Sequence, residues 1–415
     1  SLPRRRRGRM RLVPTGAAIA YGGVLVLGLV QLLPLTPGLA HPIWQGVDAP
    51  GAITINKDAT RADLVLLVGL AGAFIAASIV GSRRQGGEAF RRLFLGFGGL
   101  YGALSLVAFV VEPGPVPGVL EQGSATRLSS TFLSANSAAT FFSILMFVAL
   151  GDLFDRLGSG KIRTTMRETA FEKANRVLAL PIATGLVAFS CLVLTASRGA
   201  ISLVLIALLL LAFFHRNAFS GAGAASKTIR RFGVLGLALA VGTVLVLSGG
   251  YFLERLTDQG AAPDARFLYF GDYLLAALER PIFGHGYGTF QDVSRLQETI
   301  DNWGAVASVA AAHNAVLQWA IEGGTVGLVL MIATIFGIYA TIIRAVKAGE
   351  RDRPRHGIML ALGGIVLGHS MVDFGLEVYA IALTYTAFLG LQFGETARLS
   401  ASSKMASSPS MNTDG

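Results

Sequence analysis

The chain has 415 residues, of which 53% are hydrophobic and only 14% are charged, with a formal net charge of +10. Soluble globular proteins carry about 25% charged residues, so the composition excludes an ordinary soluble enzyme or nucleic-acid-binding domain. The apolar residues come in blocks of about 20, the length that a helix needs to cross about 30 Å of hydrocarbon.

These blocks predict an all-α polytopic membrane bundle of ten helices, or up to twelve if a helix is split or re-entrant. With the N-terminus inside, the inner segments hold 27 of the 35 Lys and Arg residues. This distribution follows the positive-inside rule, so the basic excess is an orientation signal and implies no nucleic-acid partner. The predicted helices span residues 15–33, 62–80, 93–111, 136–154, 177–196, 199–214, 232–250, 322–343, 357–372 and 377–393.

The same reading divides the chain into five parts, with both termini cytoplasmic. A basic segment, 1–14, precedes helices one to seven within 15–250, and we expect the first helix to be retained rather than cleaved as a signal peptide. Residues 251–321 form a long outer loop, of the kind that usually carries function in a compact bundle. The last helices lie within 322–393, and the Ser-rich segment 394–415 is predicted to be a disordered tail.

Arg198, in "TASRGA", is the first candidate for chemistry along the chain. The apolar run after it, residues 201–214, would be about 21 Å long as a helix, which is short for a membrane crossing. We therefore expect Arg198 to lie below the outer surface, at a cost of about 2.5–3.5 kcal/mol or more, and to line a polar cavity. The alternative is an Arg that reaches the interface and caps a short hairpin.

Arg266 opens a segment of the long loop, "DARFLYFGDYLLAAL", with helical spacing and one apolar face. Its alternative role is a surface ion pair with Asp264. The apolar residues of that face are Phe267, Phe270, Leu274, Leu275 and Leu278. The following "GHGYGTF" predicts a tight turn rather than a phosphate-binding loop, because no strand precedes it. His285 in this turn is a reserve general base.

His313 stands just before a long apolar run, in "AAHNAVLQWAIEGG". Histidine accepts a proton near neutral pH without special tuning, which makes His313 a candidate base. Asn314 and Gln318, predicted on the same helical face, would hold its tautomer or bind a polar substrate. The alternative is an interfacial His bonded to a loop carbonyl.

His369 and Asp373 lie one turn apart at an outer helix end. They either pair with each other or line the same cavity as the other candidates.

No metal or other cofactor is predicted, because the six His lack the paired spacing of a zinc site and no DxD cluster is present. Two arginines can instead hold a diphosphate and stabilise it as it departs. A His can take the proton from an incoming hydroxyl. This set fits glycosyl transfer from a lipid diphosphate to an alcohol. The alternative is a transporter or lipid flippase, which would favour inverted-repeat halves.

In order along residues 195–325, "TASRGA", "DARFLYF", "RPIFGHGYGTFQ" and "HNAVLQWAIEGGTVGL" resemble the superfamily of O-antigen ligases and O-antigen and exopolysaccharide polymerases, which are membrane glycosyltransferases. The upstream "RLSSTFLSANSAATFF" is similar to another family stretch, although it lacks the Pro often seen before Asn136. "HSMVDFGLEV" resembles an ending common in the exopolysaccharide-polymerase branch.

The resemblance implies that Arg198 and Arg266 bind the donor diphosphate, that His313 is the catalytic base and that Arg127 assists at the outer mouth. It also implies inversion at the anomeric carbon, no metal, and a site facing the periplasm from the bacterial inner membrane. The implied partners are an undecaprenyl-diphosphate-linked glycan as donor, membrane lipids, and an acceptor hydroxyl on a glycan, lipid A-core or protein. The ending favours a polymerase over a lipid A-core ligase.

Overall fold

A computed structural model describes residues 12–34, 40–111, 127–158, 170–214, 265–300, 302–306, 309–349 and 354–406. Every regular element in these ranges is a helix, which confirms the predicted all-α class. The helices are α1 (Thr15–Leu32), α2 (Lys57–Gly81), α3 (Arg84–Val111), α4 (Ala135–Gly158), α5 (Ala170–Leu194), α6 (Arg198–Phe214), α7 (Ala265–Glu279), α8 (Phe290–Leu296), α9 (Trp303–Val306), α10 (Ala315–Gly349), α11 (Pro354–His369) and α12 (Tyr379–Ala406). Short 3₁₀ turns cover Pro42–Trp44 and Gly375–Glu377.

Nine of the ten predicted membrane helices coincide with observed ones, and the tenth, 232–250, lies outside the described residues. Within the part of the chain that the structure describes, six helices, α1 to α5 and α10, are long and apolar enough to cross a membrane. The chain is a multi-pass membrane protein. Several helices extend beyond their predicted limits. Helix α12 in particular continues to Ala406 and takes up part of the segment 394–415 that was expected to be disordered.

Helix α4 forms the centre of the bundle. It packs against α3, α5, α6, α11 and α12, and 78% of its most apolar stretch is buried. A helix that is apolar on all sides is stable only when other helices surround it, as they do here. By contrast, α3 turns an exposed stripe outward, at Leu93, Phe97, Leu100, Leu104 and Val107. That stripe is the lipid-facing side of α3.

Helix α10 is broken near its start. Gly324 has φ 61° and ψ −167°, a conformation outside any helix. A Cβ there would overlap the Ile282 carbonyl, so glycine is required. The break separates a short piece, 315–323, which carries Gln318 and Glu322, from the longer apolar piece that begins at Thr325. The polar residues of "AAHNAVLQWAIEGG" therefore precede the membrane-crossing helix instead of entering lipid with it.

Glycines allow α2 and α12 to pack backbone to backbone. A Cβ at Gly394 would overlap the Ser78 carbonyl oxygen, and one at Gly390 would overlap that of Phe74. In the other direction, a Cβ at Gly81 would overlap the Leu391 carbonyl oxygen. Small residues spaced four apart are a common means of close helix approach in membranes, where packing rather than hydrophobic burial holds helices together.

We expect Gly394→Ala to destabilise the protein by about 1–3 kcal/mol, because the added methyl group forces apart two backbones that cannot yield locally. The matched control is Gly72→Ala on α2, where an added Cβ meets nothing within 4 Å. That change should leave stability unchanged or raise it, since alanine favours a helix over glycine. Thermal unfolding in detergent compares the two variants, and equal midpoints would contradict the packing argument.

Candidate functional site

The candidate residues lie at one end of the bundle, where α1 and α5 stop and α2 and α6 begin; we call it the loop end. Three non-glycine residues among the described ones have positive φ, namely Ser130 (54°), Ala196 (49°) and His313 (53°). Positive φ is uncommon outside glycine, and such strained residues cluster at functional sites. Each of the three stands in a loop-end segment that carries a candidate residue.

His313 faces an acidic side chain from another helix connection. Its Nδ1 lies 4.0 Å from Oδ1 of Asp373, whose carboxylate is buried. The Phe374 ring packs edge to face on the imidazole, with the centroids 4.7 Å apart. The distance is too long for a hydrogen bond but short enough for the carboxylate to attract a protonated imidazole. A His beside a buried Asp has the arrangement that holds a general base in place.

His313 is not on a helical face with Asn314 and Gln318, as the sequence suggested, because α10 begins only at Ala315. Asn314 caps this helix instead, since its Oδ1 accepts from the Leu317 N–H at 2.9 Å. Its Nδ2 donates to the Met371 carbonyl at 3.0 Å, and the Ala315 N–H donates to the Ser370 carbonyl at 2.8 Å. Asn314 thus fastens the start of α10 to the turn after α11.

His369, at the end of α11, contacts two other helix ends. Its Nδ1 lies 2.8 Å from the Thr140 hydroxyl of α4, and its Nε2 lies 3.5 Å from the Ser197 hydroxyl. A Cβ at Gly199 would approach the imidazole to 3.2 Å, so the first turn of α6 packs closely on the ring. His369 therefore supports the turn that carries Arg198, while Asp373 faces His313.

Arg127 reaches the same turn from the loop before α4. Its Nε donates to the Thr195 carbonyl and its Nη2 donates to Oδ1 of Asn136, both at 2.8 Å. Asn136, which the departure from the family pattern had left without a clear role, thus orients a guanidinium. Arg198 is the first residue of α6 and is exposed, which differs from the buried position that the short apolar run predicted. The positive end of the α6 dipole adds to its charge.

The segment from His369 to Asp373 connects the turn that carries Arg198 to the loop that carries His313. His369 contacts the Arg198-bearing turn, and Asp373 faces His313. Four residues beyond His369 span at most about 14 Å even when extended. The His369–Asp373 segment therefore ties the turn before α6, which Arg127 also contacts, to the loop that carries His313. For Arg266 only the backbone is described, in the first turn of α7, and its side chain lies outside the described residues.

The "GHGYGTF" stretch forms the tight turn that the sequence predicted, with Gly284, Gly286 and Gly288 all at positive φ. His285 at its centre is only 2% exposed. The Ile43 N–H donates to Nδ1 of His41 at 3.1 Å, Nε2 of His41 contacts Nδ1 of His285 at 3.2 Å, and Nε2 of His285 contacts the Ala276 carbonyl at 2.9 Å. This series of hydrogen bonds is satisfied when both imidazole rings are neutral, each with its proton on Nε2. Because both ring nitrogens of His285 are engaged, the contacts support a structural role for this residue and argue against its use as a reserve general base.

Acid should loosen this turn. Burial, with smaller contributions from His285 and Arg280, lowers the pKa of His41 to about 4, and burial also lowers the pKa of His285. Unfolded histidines take up protons below about pH 6.5. The stabilisation is therefore complete above that pH and is lost as the pH falls towards 4. The protection factors of the amides of residues 276–290, which correct for the slower intrinsic hydrogen exchange in acid, should fall from pH 7 to pH 5, and His41→Gln should flatten this dependence. An equal dependence in both proteins would contradict the assignment.

Glu322 was not among the candidates chosen from the sequence. Its buried side chain connects the glycine turn of residues 284–290 to the start of α10. Its carboxylate accepts from the Gly288 and Phe290 N–H groups, each at 3.1 Å, and from Nε2 of Gln318 at 2.8 Å. Oε1 of Gln318 accepts from the Ala312 N–H at 2.8 Å. Gln318 is therefore engaged at both ends in holding the residue before His313, which argues against substrate contact. An ionisable residue at the start of a membrane helix was the signal for Glu322.

In a comparison with known protein families, the model of the O-Antigen ligase family matches residues 183–332. No curated protein matches the chain. The matched region contains Arg198, Arg266, the glycine turn and His313, and it ends in the apolar part of α10. Over residues 183–332, this match confirms the resemblance to the O-antigen ligase and polymerase superfamily.

Proposed function

We propose that the protein transfers a glycan from undecaprenyl diphosphate to a sugar hydroxyl at the periplasmic face of the inner membrane. The family match supports a glycosyltransferase of the ligase or polymerase type. The observation that carries the more specific proposal is the segment His369–Asp373, which links the Arg198-bearing turn to His313. This connection supports the proposal that Arg198 serves as a phosphate-binding cation and His313 as a proton acceptor in one site.

In the proposed reaction, His313 takes the proton from the acceptor hydroxyl as the oxygen attacks the anomeric carbon. The bond from that carbon to the diphosphate oxygen breaks, and a new glycosidic bond forms with inversion. Asp373 stabilises the imidazolium that results. The proton then leaves to solvent, and undecaprenyl diphosphate departs with its negative charge.

Arg198 and the amino end of α6 bind the departing diphosphate, and Arg266 is the second cation. Guanidinium groups suit this task because they remain charged and offer paired donors to phosphate oxygens. Arg127 is already bonded to Thr195 and Asn136, so we assign it to shaping the turn at the mouth of the site. The proposal requires no metal, and turnover in the presence of EDTA tests this point.

Among acceptors we favour a second lipid-linked repeat unit over lipid A-core or a protein hydroxyl, because the C-terminal segment resembles the polymerase branch. Purified protein should be mixed with an undecaprenyl-diphosphate-linked repeat unit, with and without lipid A-core, and the products analysed by mass. Longer lipid-linked chains support a polymerase, and modified lipid A-core supports a ligase. Unchanged glycolipid moved to the other leaflet of a vesicle would reject glycosyl transfer and indicate a transporter.

A further inference from the structure

Helix α7 presents apolar side chains to its surroundings. The exposed fractions of Leu274, Leu275 and Leu278 are 55%, 61% and 62%, whereas Tyr273 and Ala276 on the opposite side are fully buried. The sequence had predicted one apolar face, and the structure shows that its leucines do not form the inward side. In water such a row of leucines would be costly, so its position relative to the membrane matters.

The carboxyl end of α7 lies level with the point where α10 becomes apolar. The Pro281 carbonyl accepts from both the N–H and the hydroxyl of Thr325, each at 2.7 Å. The Ile282 carbonyl accepts from the Val326 N–H at 3.2 Å. Thr325 is the first residue after the break in α10, so these bonds fix the end of α7 at the edge of the membrane-crossing segment.

A contact with a second membrane helix, α1, independently places the end of α7 at the same depth. Gln31, in the last turn of α1, donates from Nε2 to the Phe283 carbonyl at 2.7 Å. The residues that follow α7 are thus bonded to the ends of two helices that cross the membrane. Both Ile282 and Phe283 are themselves exposed.

Exposed apolar side chains occur on both sides of the junction between α7 and α10. Ile282, which is exposed, is bonded to the first turn of the apolar part of α10, and the exposed stripe there continues through Val329, Ile332 and Phe336. Helix α7 has 15 residues, about 22 Å, which is too short to cross about 30 Å of hydrocarbon. An amphipathic helix of this kind lies along the membrane surface rather than across it.

From these contacts we infer that α7 is an interfacial helix, whose face of Leu274, Leu275 and Leu278 is inserted among the acyl chains of the leaflet at the loop end. The partner is bilayer lipid. Arg280, which follows the helix, can extend its guanidinium to the headgroups. The inference concerns the placement of α7 and is independent of the proposed reaction. It places the backbone of Arg266 on a helix lying at the level where a lipid-linked substrate would present its diphosphate.

Site-directed spin labels test this placement. In a Cys191→Ala background, single cysteines at positions 274, 275 and 278 are labelled and reconstituted in phosphatidylglycerol–phosphatidylethanolamine vesicles without donor. The matched control is Asp58→Cys, because Asp58 is a polar loop-end residue whose side chain is 90% exposed. Collision rates with oxygen, which concentrates in hydrocarbon, and with a water-soluble nickel complex are measured for each label.

Labels at positions 274, 275 and 278 should collide more with oxygen and less with nickel than the label at Asp58. Nickel collision as frequent as at Asp58 would overturn the inference, because the face would then lie in water. Low collision with both reagents would also overturn it, because protein would then cover the face. Size-exclusion elution identifies any misfolded variant, and the remaining positions on the same face then decide the question.

Discussion

Replacing His313 should abolish glycan transfer, with turnover falling by about 10²–10⁴-fold, the usual contribution of a general base. His313→Asn is the sharper variant, because Asn accepts the left-handed backbone conformation that this position requires, whereas Ala resists it. The Asn variant thus removes the base and keeps the loop. Transfer of radiolabelled glycan by purified protein measures both variants.

The control for this experiment is His41→Gln, which changes a loop-end histidine that the proposed reaction does not use. It should retain the turnover of the wild type near neutral pH. Asp373→Asn should lower turnover less than His313→Asn, because it weakens support for the imidazolium without removing the proton acceptor. Wild-type turnover in His313→Asn would remove this residue from the mechanism.

Much of the fold was predictable because membrane helices are long and uniformly apolar. The break in α10 was not predicted, although the paired glycines of "EGG" signalled it. The sequence predicted one apolar face on α7 but made no prediction of which side of the helix faces inward, since hydrophobic periodicity does not tell whether an apolar face meets protein or lipid. In a membrane protein the two surroundings favour the same side chains.

Sequence reasoning selected Arg198 and His313 from the unusual cost of polar residues near membrane helices. It could not find the contacts that position them. His369 meets Thr140 across 229 positions of the chain, and Arg127 meets the Thr195 carbonyl across 68. Such contacts depend on how helices pack, which residue spacing within one helix does not encode. The placement of His313 before α10 likewise follows from the cap at Asn314.

Arg198→Ala should lower turnover by about 10²–10³-fold, comparable to the loss of a single preorganised donor to a developing negative charge. Arg198→Lys should recover part of the activity, because lysine keeps the charge but loses the paired donors that match a diphosphate. The loss should fall mainly on kcat if Arg198 stabilises the departing diphosphate, and mainly on KM if it only holds the donor. Steady-state kinetics with varied donor separate these cases.

The matched control is Arg61→Ala, which removes another exposed loop-end arginine, one that pairs with Asp58 on the surface at 2.8 Å. Exposed pairs of this kind contribute about 0–1 kcal/mol, so turnover and stability should hardly change. A fall in Arg61→Ala equal to that in Arg198→Ala would mean that the lost activity reflects the general positive charge at the loop end. Wild-type kinetics in Arg198→Ala would show that Arg198 does not stabilise the departing diphosphate. The transfer mechanism would then lose its proposed leaving-group site, even if His313 proved essential.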